Sequence, residues 1–468
     1  MKKYTLLFLL LFAFSVPFRA AGPKYIFFFI GDGMGLNQVE AARQYNENMP
    51  DSLRKKMTFL SFPVQSVVTT FSASNRITDS AAAGTALATG EKTTNGTLGL
   101  NSKNRESIAK QFKKSGRKVG IITSVSIDHA TPGAFYATQP KRDMYYEIGL
   151  QGADSGFDFL GGSGLLQPQK APDKINLYDY FRDNDYTICW GKNDYKYDKN
   201  FSGKILFLSN DSLYCDALKY SIDRKPEELS LLDLTECALH HLSQNSPKGF
   251  FVMIEGGKID WASHSNDAAT MIKETLDFSE SIQCAYDFYL DHPRETLIII
   301  TADHETGGCI LGNGTMDVNT ELLQYQKMSG SEMSFYLEQV KKKHPGMTWT
   351  EMRELLSELT GLGKEVPLTL EEEARLMVSF QHWYQEDVSK SVRSLYSETN
   401  AFVSLAISIL NEKAHISWAS DNHSASQVPL FAIGEGASRF SGRLDNTDIP
   451  QRLIEITRLK ECCILEME

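Results

Sequence analysis

Short, continuous apolar runs recur along this chain, each followed by a polar loop and then a helical pattern. Residues 24–30 (KYIFFFI), 119–123, 250–254, 297–301 and 428–433 have no polar face to give to water. A strand of that kind must be covered on both sides, which predicts an α/β fold: a mostly parallel central sheet with helices on both faces. Helices are expected at 80–89, 107–115, 268–290 and 331–343. Ligands of such sheets sit at the C-terminal strand ends. Four of the five runs lead almost directly into Asp32, His129, Glu255, or Asp303 with His304. That regularity argues for one shared site.

Residues from about 329 to 411 are helix-rich, charged and poor in strand signals. They read as an insertion in the α/β core, either a cap, a dimer-facing lobe or a solvated helical excursion. The 468 residues allow a large core. A net charge of −11 argues against nucleic acid as a partner, because phosphate backbones call for basic patches. Bound divalent cations would offset part of it.

Met1, Lys2 and Lys3 precede an apolar run over residues 5–16. That run is shorter than the roughly 20 residues needed to span a bilayer. It fits a signal peptide over residues 1–22, cut near Ala20, Ala21 or Gly22, with an uncleaved anchor as the alternative. Export, most simply to the periplasm, is the expectation, with the folded unit over 23–468. No later run looks membrane-spanning. Cysteines stand at 189, 215, 237, 284, 309, 462 and 463, without C-x-x-C zinc spacing, and the odd count leaves at least one unpaired.

The chemistry concentrates in a few segments. Thr78-Asp79-Ser80-Ala81-Ala82-Ala83-Gly84-Thr85-Ala86 places a serine hydroxyl where a small-residue helix starts, a position suited to anions. No G-x-S-x-G elbow supplies a histidine base. A metal that lowers the hydroxyl pKa would replace one. After the first strand comes Gly31-Asp32-Gly33-Met34-Gly35, where a carboxylate at a strand end can bridge two cations. G-x-G-x-x-G is not completed there.

In E-G-G-K-I-D-W-A-S-H, starting at Glu255, a helix beginning near Asp260 would put Asp260 and His264 on one face, a half-site for zinc. Glu255, further back, suits magnesium. The alternative is an N-cap aspartate and a surface histidine. Asp303 and His304 can reach one ion if the chain turns sharply off its strand, or they sit in a capped loop. His423 either closes a zinc site or is an ordinary loop histidine. Asp128-His129-Ala130-Thr131-Pro132 and Lys141-Arg142 offer a hydroxyl ligand and a phosphate fork, or a surface Lys-Arg pair.

Taken together, I-G-D-G-M-G, T-D-S-A-A-A-G-T-A, H-A-T-P, E-G-G-K-I-D-W-A-S-H, T-A-D-H-E-T-G-G and D-N-H-S resemble the alkaline phosphatase family, in the family's order, from about Lys24 to Gly434. The resemblance implies hydrolysis of small phosphate monoesters through a phosphoserine at Ser80. It implies a first zinc on Asp260, His264 and His423, and a second on Asp32, Asp303 and His304. Magnesium would sit on Asp32, Thr131 and Glu255, and Arg142 would clamp two phosphoryl oxygens. A homodimer is also implied. His129 and Trp261 stand where some bacterial relatives have Asp and Lys. His129 bears on the identity of the third metal. Trp261 either packs as core or lines the pocket. A diesterase or a sulfatase on a similar core is the enzymatic rival. The sulfatase motif C/S-x-P-x-R is missing, since Ser80 is followed by Ala-Ala-Ala. A phosphate- or metal-binding protein is the non-enzymatic rival.

Overall fold

Tyr25–Gly31 (β1) is buried along its whole length, and its side chains alternate between two covered faces. Phe29 meets Phe278 and Phe27 meets Phe288, both on the long helix Ala268–Asp291, while Phe28 between them points to Phe135. Burying one such phenylalanine is worth roughly 2–3 kcal/mol. This computed structural model describes residues 22–195, 203–210, 216–314, 316–385, 391–393 and 398–459. The leader expected over residues 1–22 lies outside them except for Gly22, as do Cys215, Cys462 and Cys463; Cys284 and Cys309 carry free thiols.

Among the described residues, nine further strands complete one sheet: Val64–Thr69 (β2), Lys118–Thr123 (β3), Phe159–Gly162 (β4), Tyr186–Trp190 (β5), Lys204–Leu208 (β6), Phe250–Gly256 (β7), Thr296–Ala302 (β8), Val428–Gly434 (β9) and Arg443–Asp445 (β10). Their order is β10-β2-β9-β8-β1-β7-β3-β4-β6-β5. Every neighbouring pair is parallel except the two made by β9, which runs antiparallel to both β8 and β2. All five predicted strands are present. The run at 428–433 is reversed, and β10 follows it.

The reversal matters for the site. A residue preceding a parallel strand lies at the wrong edge of the sheet, whereas one preceding β9 lies at the edge where β1, β7 and β8 end. The predicted helices form at Ser80–Thr89 (α1), Ile108–Lys114, Ala268–Asp291 and Gly330–Lys343. The stretch expected at 329–411 holds helices Gly330–Lys343, Trp349–Thr360 and Leu370–Gln385, with Ala401–Lys413 at its end. It has an aromatic cluster of its own, in which Trp383 stacks on Phe402 and Phe380 packs against both Trp349 and Phe402. Among the described residues, no helix is long and apolar enough to cross a membrane.

Candidate active site

Parallel registration sets the acidic residues side by side. Ile30 pairs with Glu255, and Gly31 pairs with both Gly256 and Ala302. Asp32, Glu255 and Asp303 therefore leave three adjacent strands, spaced about 4.8 Å apart, at one edge. The chain then turns from β7 into Lys258–His264 (α2), so Asp260 and His264 share a face as i and i+4. A two-residue ladder pairs His423 with Thr306 and Ser424 with Glu305, which ties the segment before β9 to the segment after β8.

Helix α1 opens at Ser80. Asp79 caps it by accepting from the Ala82 N–H at 3.0 Å. All ten of its residues are buried. Their small size serves close packing: a Cβ on Gly84 would lie 3.2 Å from Ala134 Cβ and 3.3 Å from Thr131 Cα. That approach brings the helix carrying Ser80 against the short helix Ala130–Gly133 carrying Thr131.

The side chains converge. Ser80 Oγ lies 3.2 Å from His304 Nε2, and the same nitrogen is 3.3 Å from Asp32 Oδ1 and 3.3 Å from Asp303 Oδ2. His264 Nε2 lies 3.3 Å from Asp260 Oδ2 and 3.2 Å from His423 Nε2, and His423 Nε2 is 3.7 Å from Asp260 Oδ1. The two groups abut, with the rings of His304 and His423 stacked at 3.6 Å. Asp32, His129 and Glu255 form a third cluster with ligand atoms within 4.8 Å of one another. The Thr131 hydroxyl faces Glu255, and Trp261 is buried with its ring edge-on to His129. Arg142 donates from Nη1 to Asp79 Oδ2 at 3.2 Å and from Nη2 to His129 Nε2 at 3.3 Å. The clamp candidate is thus anchored to the residue before Ser80.

The outward nitrogens of the three central histidines are engaged. His264 Nδ1 bonds to the Asp421 carbonyl at 2.6 Å, His423 Nδ1 to the Thr78 carbonyl at 2.9 Å, and His304 Nδ1 to Thr306 Oγ1 at 3.2 Å. A carbonyl only accepts, so His264 and His423 carry their protons on Nδ1 and turn bare Nε2 lone pairs toward each other. Both oxygens of Asp32, Asp260 Oδ2 and Asp303 Oδ2 are buried without a hydrogen bond. Buried polar atoms ordinarily find partners. Bare lone pairs and orphaned carboxylate oxygens aimed at common points are a donor set for cations, and the residues present fit divalent metals.

The electrostatics agree. Burial, then the charges of Asp303, Asp260 and Glu255, push the Asp32 carboxyl well above the usual range. Asp303 is raised likewise by burial and by Asp260 and Glu255, and burial raises Glu255 to about 7. Burial, with Arg142 close by, lowers His129 to about 3, and burial with His423 nearby lowers His304. Carboxylates this crowded ionise together only when positive charge is supplied.

Asp79 and Thr306 were assigned no role from the sequence, although both lie inside motifs that were. The carbonyls of Thr78 and Asp421 carry no side-chain signal at all. Gly33, after β1, lets the protein pack closely on itself. Gly33 has φ +70°, and a Cβ there would stand 2.8 Å from Asp260 Cα and 2.9 Å from Thr306 Oγ1. Gly33→Ala must push Asp260 aside and hold a left-handed residue at a cost of about 1 kcal/mol. It should weaken divalent-ion binding by about tenfold or more, read by chelator competition. Unchanged affinity would mean that this close approach does not set the ligand geometry.

The alkaline phosphatase family profile matches residues 23–157 and 169–459. Alkaline phosphatase 4 of Bacillus subtilis is 30% identical over 443 residues, covering 92% of this chain and 87% of the relative. An alkaline phosphatase of Schizosaccharomyces pombe is 27% identical, covering 92% and 80%. The crystal structure of a cold-active alkaline phosphatase from a psychrophilic Shewanella superposes with a TM-score of 0.76 at 26% identity, covering 92% of this chain and 99% of that one. A match over nearly the whole chain, to relatives spanned over most of their own length, makes this protein a member of the alkaline phosphatase family and a phosphatase acting on phosphate monoesters.

Proposed function

We propose that the chain hydrolyses small phosphate monoesters through a phosphoserine at Ser80, with two zinc ions and a third, oxygen-rich magnesium site. One observation carries this reading: Ser80 Oγ, His304 Nε2, Asp32 Oδ1 and Asp303 Oδ2 gather around one point beside an Arg142 tied to Asp79. A serine and an imidazole alone would suggest a nucleophile and its base. Two buried carboxylates facing the same nitrogen lone pair suit a cation better than a proton in transit.

Asp260, His264 and His423 would hold one zinc, and Asp32, Asp303 and His304 the other. Asp32, Thr131 and Glu255 would hold magnesium, which favours oxygen ligands, while His129 beside them accepts from Arg142. Zinc bound at these residues supplies Lewis acidity that lowers the pKa of a hydroxyl or a water and offsets charge on the leaving oxygen. Arg142, pre-aimed by Asp79 and His129, takes two phosphoryl oxygens in a charge-assisted fork. The N-terminus of α1 adds a favourable partial positive charge. Ser80 gives up its hydroxyl proton as Oγ bonds to phosphorus and the ester oxygen leaves, a proton ending on the released alcohol. Water then attacks the phosphorus, its oxygen staying on the phosphate and one of its protons returning to Ser80 as the Oγ–P bond breaks.

The leader-like first segment supports export to the periplasm. The family resemblance supports a homodimer, with residues 23–468 as one catalytic unit interrupted by the helical stretch at 329–411. The deciding measurement compares an aryl monophosphate, a bis-ester and an aryl sulfate, with monoester turnover expected to dominate. Arg142→Ala should weaken inhibition by inorganic phosphate by about 10–100-fold and leave bound metal unchanged. Phosphate inhibition equal to that of the unmodified protein would remove Arg142 from the clamp.

A further inference from the structure

His264 and His423 are oriented by backbone carbonyls, but His304 is oriented by a side chain, Thr306. Thr306 Oγ1 also donates to Asp260 Oδ1 at 2.5 Å. A hydroxyl has one proton and Asp260 can only accept, so that proton goes to the carboxylate, and the Thr306 oxygen must accept from His304 Nδ1–H. One hydroxyl thus fixes the tautomer of a residue in one ligand set and the carboxylate orientation in the other.

The backbone repeats this arrangement. The Thr306 N–H donates to the Gly33 carbonyl at 3.2 Å, next to Asp32, and Thr306 is the ladder partner of His423. The Thr306 carbonyl accepts from Gln38 Nε2 at 2.8 Å, and the residue is fully buried. The side chain therefore has little freedom to take another role.

We infer that Thr306 is a positioning residue that couples the two metal sets, so that its hydroxyl tunes the affinity of both ions at once. The inference rests on the zinc reading above. Loss of an outer hydrogen bond to a metal ligand ordinarily costs about 10–100-fold in affinity. A hydroxyl shared by two sets should impose that cost twice.

The full-length protein is stripped of metal and titrated with zinc against a chromophoric chelator; cobalt uptake is followed by its visible spectrum. Thr306→Val, nearly isosteric, should lower affinity for both tight ions by about 10–100-fold and alter the cobalt spectrum. Thr306→Ala, which adds no bulk, should do the same, and Thr306→Ser should restore near-normal binding. Unchanged affinity in the valine and alanine variants, loss confined to one ion, or failure of serine to rescue would each overturn the coupling role. If the unmodified protein takes up fewer than two tight ions, or if Asp260→Asn and Asp303→Asn leave uptake unaltered, the metal reading itself fails.

Discussion

Ser80→Ala should abolish trapping of labelled phosphate on the protein and lower monoester turnover by at least about 10³-fold, with the fold and most of the metal affinity retained. The substitution removes one oxygen from a residue only 1% exposed. It leaves the cap intact, since Asp79 still accepts from Ala82 N–H. Alanine is a better helix former than serine and would join Ala81, Ala82 and Ala83 in the first turn. What disappears is the hydroxyl 3.2 Å from His304 Nε2. The Arg142 fork and the carboxylates stay, so phosphate should still bind and inhibit. Undiminished labelling at another residue would remove Ser80 from its role.

Stripping the divalent ions should abolish turnover and also reverse how stability responds to pH between about 6.5 and 8. In the stripped protein, burial and neighbouring carboxylates hold the Asp32 and Asp303 carboxyls well above their usual values, and burial raises Glu255 and Asp128 to about 7. A carboxyl with a raised folded pKa costs nothing below its unfolded pKa. Its penalty grows as pH climbs toward the folded value.

Histidines lowered by burial, His129, His304 and His423, work in the opposite sense, but only below their ordinary value of 6.5. His264 is raised: burial opposes this, and Asp260 outweighs it, so its contribution also fades with rising pH. Lys258 and Lys273, lowered by burial to about 8, become important only above that value. Between 6.5 and 8 the stripped protein should therefore melt lower as pH rises. The loaded protein should not, because the ions compete with protons and gain affinity as pH rises. At a thousandfold excess over Kd each ion adds about 4 kcal/mol. Calorimetry of both forms at the two ends of that range checks the sign. A stripped protein more stable at pH 8 than at pH 6.5 would contradict the carboxylate account.

The buried strands were legible because β1, β3, β7, β8 and β9 are too apolar to face water. Of the strands that went unread, Lys204–Leu208 is as apolar as those that were read, and others are short or carry mixed signals. Phe159–Gly162 is four residues with two glycines, and Val64–Thr69 is only partly buried. Local pattern also says nothing about direction, so the reversal of β9 was invisible, although it explains why residues before that strand belong to the site. Among the site residues, Asp260 and His264 were legible as a pair from helical spacing alone. Linking His423 to them took the family resemblance, because the two-residue ladder that delivers it is a long-range contact. Thr306, and Asp79 in its bond to Arg142, act through hydrogen bonds to other side chains, and no spacing rule announces such a partner.

The sheet order has a bearing on how the molecule is made. Val64–Thr69 leaves the ribosome early, yet among the described residues its sheet neighbours are Val428–Gly434 and Arg443–Asp445, near the end of 468 residues. Until the final tenth of the chain has been synthesised, one flank of the sheet has nothing to join and the site lacks His423. A nascent chain must keep the flanking apolar edge of Thr296–Ala302 from aggregating through that interval. An ion held by Asp260, His264 and His423 would then be captured at the close of assembly rather than seed it.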